Sequence, residues 1–226
     1  MCGSQSSPYH LRFTSCHLHC IEAPALPPDS ADMFARHLLL VLAGGVLVPG
    51  TAESAPPARI EVVARVYNTA RVALPITDVA LATATRLMTA GAIGVAWRNC
   101  DLPNACTTVP VREFVIRPVR SRARDADGVP FVLGEASIDL HERAGVLATI
   151  YVDRVERMAE LSEADTASLL GRAIAHELCH LLLATNGHSS SGLMRARWTS
   201  KEVRGNLKAD WILTRKDAEA IRKRLR

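Results

Sequence analysis

His176-Glu177-Leu178-Cys179-His180 is followed eight residues later by His188 and six after that by Met194. Two histidines four apart lie about 40° from one another around an α-helix, because each residue advances about 100°. Both imidazoles therefore reach one metal ion from a single helix. Glu177 projects beside them, near enough to take a proton from water at that ion. Three fixed positions in five arise by chance on helices, so the surroundings matter. Beyond Arg59 the chain holds four histidines, and three of them fall within the thirteen residues from His176 to His188. Scattered core histidines do not cluster in this way. A catalytic zinc takes three protein ligands and keeps one position open. His188 is the natural third ligand; His141 and Glu202 are the other candidates.

The helix under these residues is expected from about Asp165 to Ala184. Leu170, Ile174, Leu178 and Leu181 form a stripe facing away from His176 and His180, since Leu178 lies about 200° from His176. One face then packs on a sheet while the other presents ligands to a cleft. Asn186-Gly187 is a helix-ending pair, glycine being the usual left-handed cap, and it supplies the bend that returns His188 to the ion. Upstream, strands alternate with a helix. Strands are expected over Ile60–Tyr67, Gly94–Arg98, Val111–Val119, Pro130–Ile138 and Val146–Val152, with a helix from Pro75 to Ala90. A last helix starts near Thr214, where Thr214 and Asp217 form a capping pair. There is no internal repeat and no second domain.

The string from His176 to Met194 resembles the metzincin metalloproteases, whose long motif HExxHxxGxxH precedes a methionine-containing turn. Gly192-Leu193-Met194 is similar to that turn, which implies that Met194 supports the ligands from below without touching substrate. The resemblance is to small secreted bacterial members. It implies an α+β fold: a mixed, mostly parallel twisted sheet of about five strands with an antiparallel edge strand, a backing helix, an active-site helix and a small C-terminal helical subdomain. It also implies that peptide substrate lies along the edge strand, at Leu133, Gly134, Glu135 and Ala136. Two departures stand out. The third histidine comes eight residues after His180 rather than six, and Leu183 occupies the position of the motif glycine. Cys179, where many members carry glycine, is expected to pack inside. Arg195, Arg197 and Trp198 follow the turn and are given no catalytic role.

The expected function is a secreted zinc-dependent endopeptidase, with His176, His180 and His188 on Zn²⁺ and Glu177 as general base. Two alternatives stay open: a secreted zinc-binding module of the same fold without turnover, and a zinc hydrolase of non-peptide amides. The 226 residues suit one ordinary domain, and the mild net charge of +4 comes with no nucleic-acid motif. No apolar run reaches the roughly 20 residues of a membrane span. Met33-Phe34-Ala35-Arg36-His37, the apolar run Leu38–Val48 and small residues near Ala52–Ala55 read as a signal peptide over 33–55. Residues 1–32 then read as an upstream extension without structural role. The catalytic domain spans 59–226, with an upper part over 59–187 and a lower part over 188–226. Export implies an oxidising compartment, secreted or periplasmic, where Cys100 and Cys106 close a local disulfide across a turn.

Overall fold

β-branched runs alternating with one helical stripe build the sheet, in a computed structural model that describes residues 13–21, 60–101, 106, 113–121 and 131–226. Ile60–Val66 (β2), Ile93–Asn99 (β3), Glu113–Val119 (β4) and Ala144–Tyr151 (β6) lie parallel. Phe131–Asp139 (β5) runs antiparallel beside β6. The order is β3-β2-β4-β6-β5, a mixed, mostly parallel sheet with an antiparallel edge strand. Side chains alternate as the pleat demands: on β4, Phe114, Ile116 and Pro118 are buried while Arg117 points out.

Two further strands extend this sheet. Phe13–Ile21 (β1) pairs antiparallel with β5, and the short Arg197–Thr199 (β7) pairs parallel with β1. Phe13–Ile21 thus departs from the expectation that residues 1–32 have no structural role. The physical reason lies in β5, whose outer side carries N–H and C=O groups that require partners. In register, Leu18, His17 and Cys16 stand opposite Gly134, Glu135 and Ala136. The side expected to receive peptide is therefore taken by the chain's own strand. The segment 33–55, read as a signal peptide, lies outside the described residues.

Leu74–Ala90 (α1) starts with Pro75 in its first turn and stops at Gly91. Thr166–Leu183 (α3) begins at Asp165, whose carboxylate accepts from Ser168 N at 2.7 Å. The two helices approach closely: a Cβ on Gly171 would stand 2.3 Å from the carbonyl oxygen of Ala80. The expected single buried face of α3 understates its surroundings, because Arg172, His176, Glu177 and His180 are buried as well as the leucine stripe. The C-terminal segment folds back over the histidine face and closes it. The bend also differs. Ala184, not Asn186-Gly187, takes the left-handed conformation (φ 47°, ψ 53°), its N–H reaching the His180 and Leu181 carbonyls.

Val152–Leu161 (α2) follows β6 directly and buries Val152, Val155, Met158 and Ala159. Past β7 come Ser200–Gly205 (α4), Lys208–Trp211 (α5) and Arg215–Leu225 (α6). Thr199 and Glu202 make a reciprocal capping box for α4, and Thr214 caps α6 by accepting from Asp217 N at 3.1 Å. Cys100 and Cys106 are joined as a disulfide, their Cα atoms 5.4 Å apart. Cys179 is buried and unbonded, its Sγ 3.6 Å from Met88 Sδ. No described helix is long and apolar enough to cross a membrane.

Candidate metal centre

His176 and His180 project from one face of α3, and their Nε2 atoms stand 3.0 Å apart. The Nδ1 of His176 lies 2.7 Å from the Leu193 carbonyl oxygen, and that of His180 lies 2.8 Å from the Thr185 carbonyl oxygen. A carbonyl only accepts, so each Nδ1 carries the ring proton and donates it. When the rings are neutral, each Nε2 is a bare lone pair. Neutral they are: burial, then His180, holds His176 well below its ordinary value, and burial lowers His180 to about 4. The two Nε2 atoms then face one another as acceptors, and a cation shared between them would relieve their repulsion.

His188 closes the triangle. Its ring centroid is 4.7 Å from that of His180 and 5.4 Å from that of His176, and one ligand atom from each residue falls within 4.8 Å of the others. Zinc holds imidazole nitrogens at about 2.0–2.1 Å in a tetrahedron, which puts two of them about 3.3 Å apart. The pair in hand fits that span, and three neutral imidazoles are the donor set that zinc takes with one position left open. His188 is exposed while the other two are buried, so the ion would meet solvent on the His188 side.

Glu177 is 0% exposed, and neither carboxylate oxygen has a hydrogen-bond partner among the described residues. It lies under β5 at its glycine: a Cβ on Gly134 would sit 2.9 Å from Glu177 Cγ. Burial, and secondarily the charge of Glu135, pushes this carboxyl well above its ordinary value. A buried, unpaired carboxyl beside a cation site is a proton acceptor in waiting, since the ion's charge offsets the burial that keeps it protonated.

The loop between α3 and β7 holds the third histidine. Ser189 N donates to the Met194 carbonyl at 2.8 Å, and Ser189 Oγ donates to both carboxylate oxygens of Asp217 at 2.8 Å, which ties the residue after His188 to α6. Gly192 takes φ +72°, and a Cβ there would meet the Ile212 carbonyl oxygen at 2.4 Å. Met194 is 1% exposed, and Leu193 before it supplies the carbonyl that orients His176. Trp198 does not border a cleft. It is fully buried, its ring edge-on to His176 at 5.6 Å and to Trp211 at 4.9 Å.

Of the other residues singled out by the sequence, Leu133, Gly134 and Ala136 are buried in β5 and Glu135 is half-buried. Glu202, an alternative ligand, instead accepts from Thr199 N at 2.8 Å and pairs with Arg195. The His141 side chain is 94% exposed and joins no cluster. The carbonyls of Leu193 and Thr185 and the Ser189–Asp217 tie were not foreseen, because residue spacing says nothing about which backbone oxygen a ring nitrogen will meet.

An α+β sheet with three imidazoles converging at one end of a buried helix defines a candidate metal-binding protein. No family model matches the chain, and no curated protein matches it. Among solved structures, archaemetzincin from Methanopyrus kandleri is similar at TM-score 0.46 and 16% identity, over 76% of this chain and 98% of that one.

Proposed function

We propose that the chain is a zinc-dependent peptidase in which Glu177 is the general base. The observation that carries this reading is the pair of buried, proton-free Nε2 atoms at 3.0 Å, each fixed by a carbonyl behind it, with the unpaired Glu177 next in the chain. His176, His180 and His188 would hold the ion. Bound there, zinc supplies Lewis acidity, polarising a carbonyl and acidifying water. The chain's own residues do the rest. Glu177, desolvated and close to Gly134, accepts a proton at its free oxygens and returns it to the departing amine. Leu193 and Thr185 keep both imidazoles in the ligating tautomer. Trp198 excludes water from the inner side of His176.

The peptide class is supported by β1 itself. It is an extended chain lying antiparallel along β5, past the glycine over Glu177, in the manner of strand addition. A substrate would take the same path, so β1 must leave before one can bind there. Secretion remains part of this proposal, resting on the leader-like run near Met33, which would serve as a leader only in a chain begun there and therefore without β1. The test is zinc content by mass spectrometry together with casein and peptide-library hydrolysis. It uses the full chain and a chain begun at Met33, each with and without chelator. The expected result is one zinc per chain and chelator-sensitive cleavage. In Glu177→Gln, zinc should stay bound while cleavage falls by about 10²–10⁴. Zinc-free protein, or full activity in Glu177→Gln, would overturn it.

A further inference from the structure

A concentration of positive charge lies on the α1 side of α3. A cavity of about 650 Å³ opens between α1, α3 and the segment around α5. Arg86, Arg172 and Lys208 line it with Thr83, Asn206 and Trp211, and no carboxylate is among its lining residues. That volume is within the usual range of small-molecule sites, roughly 300–1,000 Å³.

Arg172 is its anchor. The residue is 5% exposed, its guanidinium sits 4.0 Å over the Trp211 ring, and it donates to Asn206 Oδ1. Burial and the neighbouring Arg86 lower it to about 10, with only Asp165 acting the other way. Arg86 donates to Thr83 Oγ1 at 3.2 Å, and among the described residues neither it nor Lys208 has an acidic partner. Trp211 is 2% exposed and its ring forms the floor under the guanidinium. Buried cations are almost always paired. The fold thus gathers three cations around a space lined by no carboxylate.

We infer that this cavity binds a small organic phosphate. A phosphomonoester brings about −1.5 to −2 charge and three strong acceptor oxygens, which matches three cations better than a single carboxylate does. Arg172, pinned by Trp211 and Asn206, presents a preformed fork. Leu87 and Ile212 in the wall would cover the organic part. This site shares no lining residue with the histidine triangle, so either assignment can fail alone.

The experiment is calorimetric titration of the full chain with glycerol 3-phosphate and with inorganic phosphate. Glycerol, and sodium chloride at matched ionic strength, are the controls. Both phosphates should bind saturably at one site, and neither control should. Arg86 and Lys208 are exposed, so the double variant Arg86→Gln/Lys208→Gln should keep the wild-type melting temperature. Its dissociation constant for glycerol 3-phosphate should rise at least about tenfold. Arg172→Met retains the stem over Trp211 and should abolish binding; if it does not fold, the exposed pair decides. Absence of saturable binding, an equal response to chloride, or undiminished binding by the double variant, as phosphate held at a metal would give, overturns the assignment.

Discussion

Leu193 and Thr185 lend no side chain to the candidate metal centre, yet their carbonyls set the tautomer of both buried imidazoles. Residues that aim those carbonyls are therefore as sensitive as the ligands. Gly192 precedes Leu193 at φ +72°, with no room for a Cβ against the Ile212 carbonyl. Gly192→Ala should destabilise the protein by roughly 2 kcal/mol, from left-handed strain and the backbone clash together. Zinc affinity should fall about 10–100-fold with it. Urea denaturation and a competitive chelator titration would measure the two, and wild-type values in both would exclude the role given to this turn. Asp217 acts one step further out. Its carboxylate receives Ser189 and Thr214, so Asp217→Ala should weaken zinc binding even though Asp217 touches no ligand. An unchanged chelator midpoint in Asp217→Ala would show that His188 is held some other way. The meeting of His176 and His180 is legible in the sequence because helical spacing alone puts them together, and His188 joins them through the loop that follows. The carbonyl partners are not legible, since a ring nitrogen's acceptor is chosen by the tertiary path of the chain.

Helix ends and strand pairs show the same division between local and distant causes. Asp165 before α3, and Thr214 with Asp217 before α6, are readable caps because the donor lies within one turn. Asp165→Ala should cost about 1 kcal/mol at neutral pH. Hydrogen bonds from Ser168 hold the Asp165 carboxyl below its ordinary value of 3.8. Its stabilisation is complete above that value and is lost as pH falls through the lower folded one. The variant should therefore lose less stability than wild type on acidification below about pH 4, as thermal melts across pH 2–5 would reveal; parallel acid limbs would contradict this. α2 was not read: its apolar Val152, Val155, Met158 and Ala159 fall on one stripe, but it abuts β6 without a turn signal between them, and Val152 was taken for the end of a strand. β1 was not. Phe13–Ile21 carries no sign of its partners, which are set by the unsatisfied side of β5 and by β7 far along the chain. The left-handed turn at Ala184 likewise defied expectation, because alanine adopts it only under tertiary constraint.

Taken whole, the molecule closes its sheet with its own beginning. Deleting residues 1–32 should bare the outer side of β5, which either admits peptide or pairs with another copy. Peptide hydrolysis per molecule should rise on deletion, with concentration-dependent association seen by light scattering. A monomeric, equally active truncation would mean that β1 does not cover the working side. Removal of zinc should have the opposite reach, loosening the loop after α3 before the sheet, so that limited proteolysis of chelated protein cuts between His180 and Thr214 first. There is also a consequence for how the chain is made. β1 leaves the ribosome well before both of its neighbours, β5 and β7. It must wait, extended and unsatisfied, until the C-terminal portion has emerged. The final docking of β1, burdened by the longest loop closure among the described strand pairs, should set the pace of refolding.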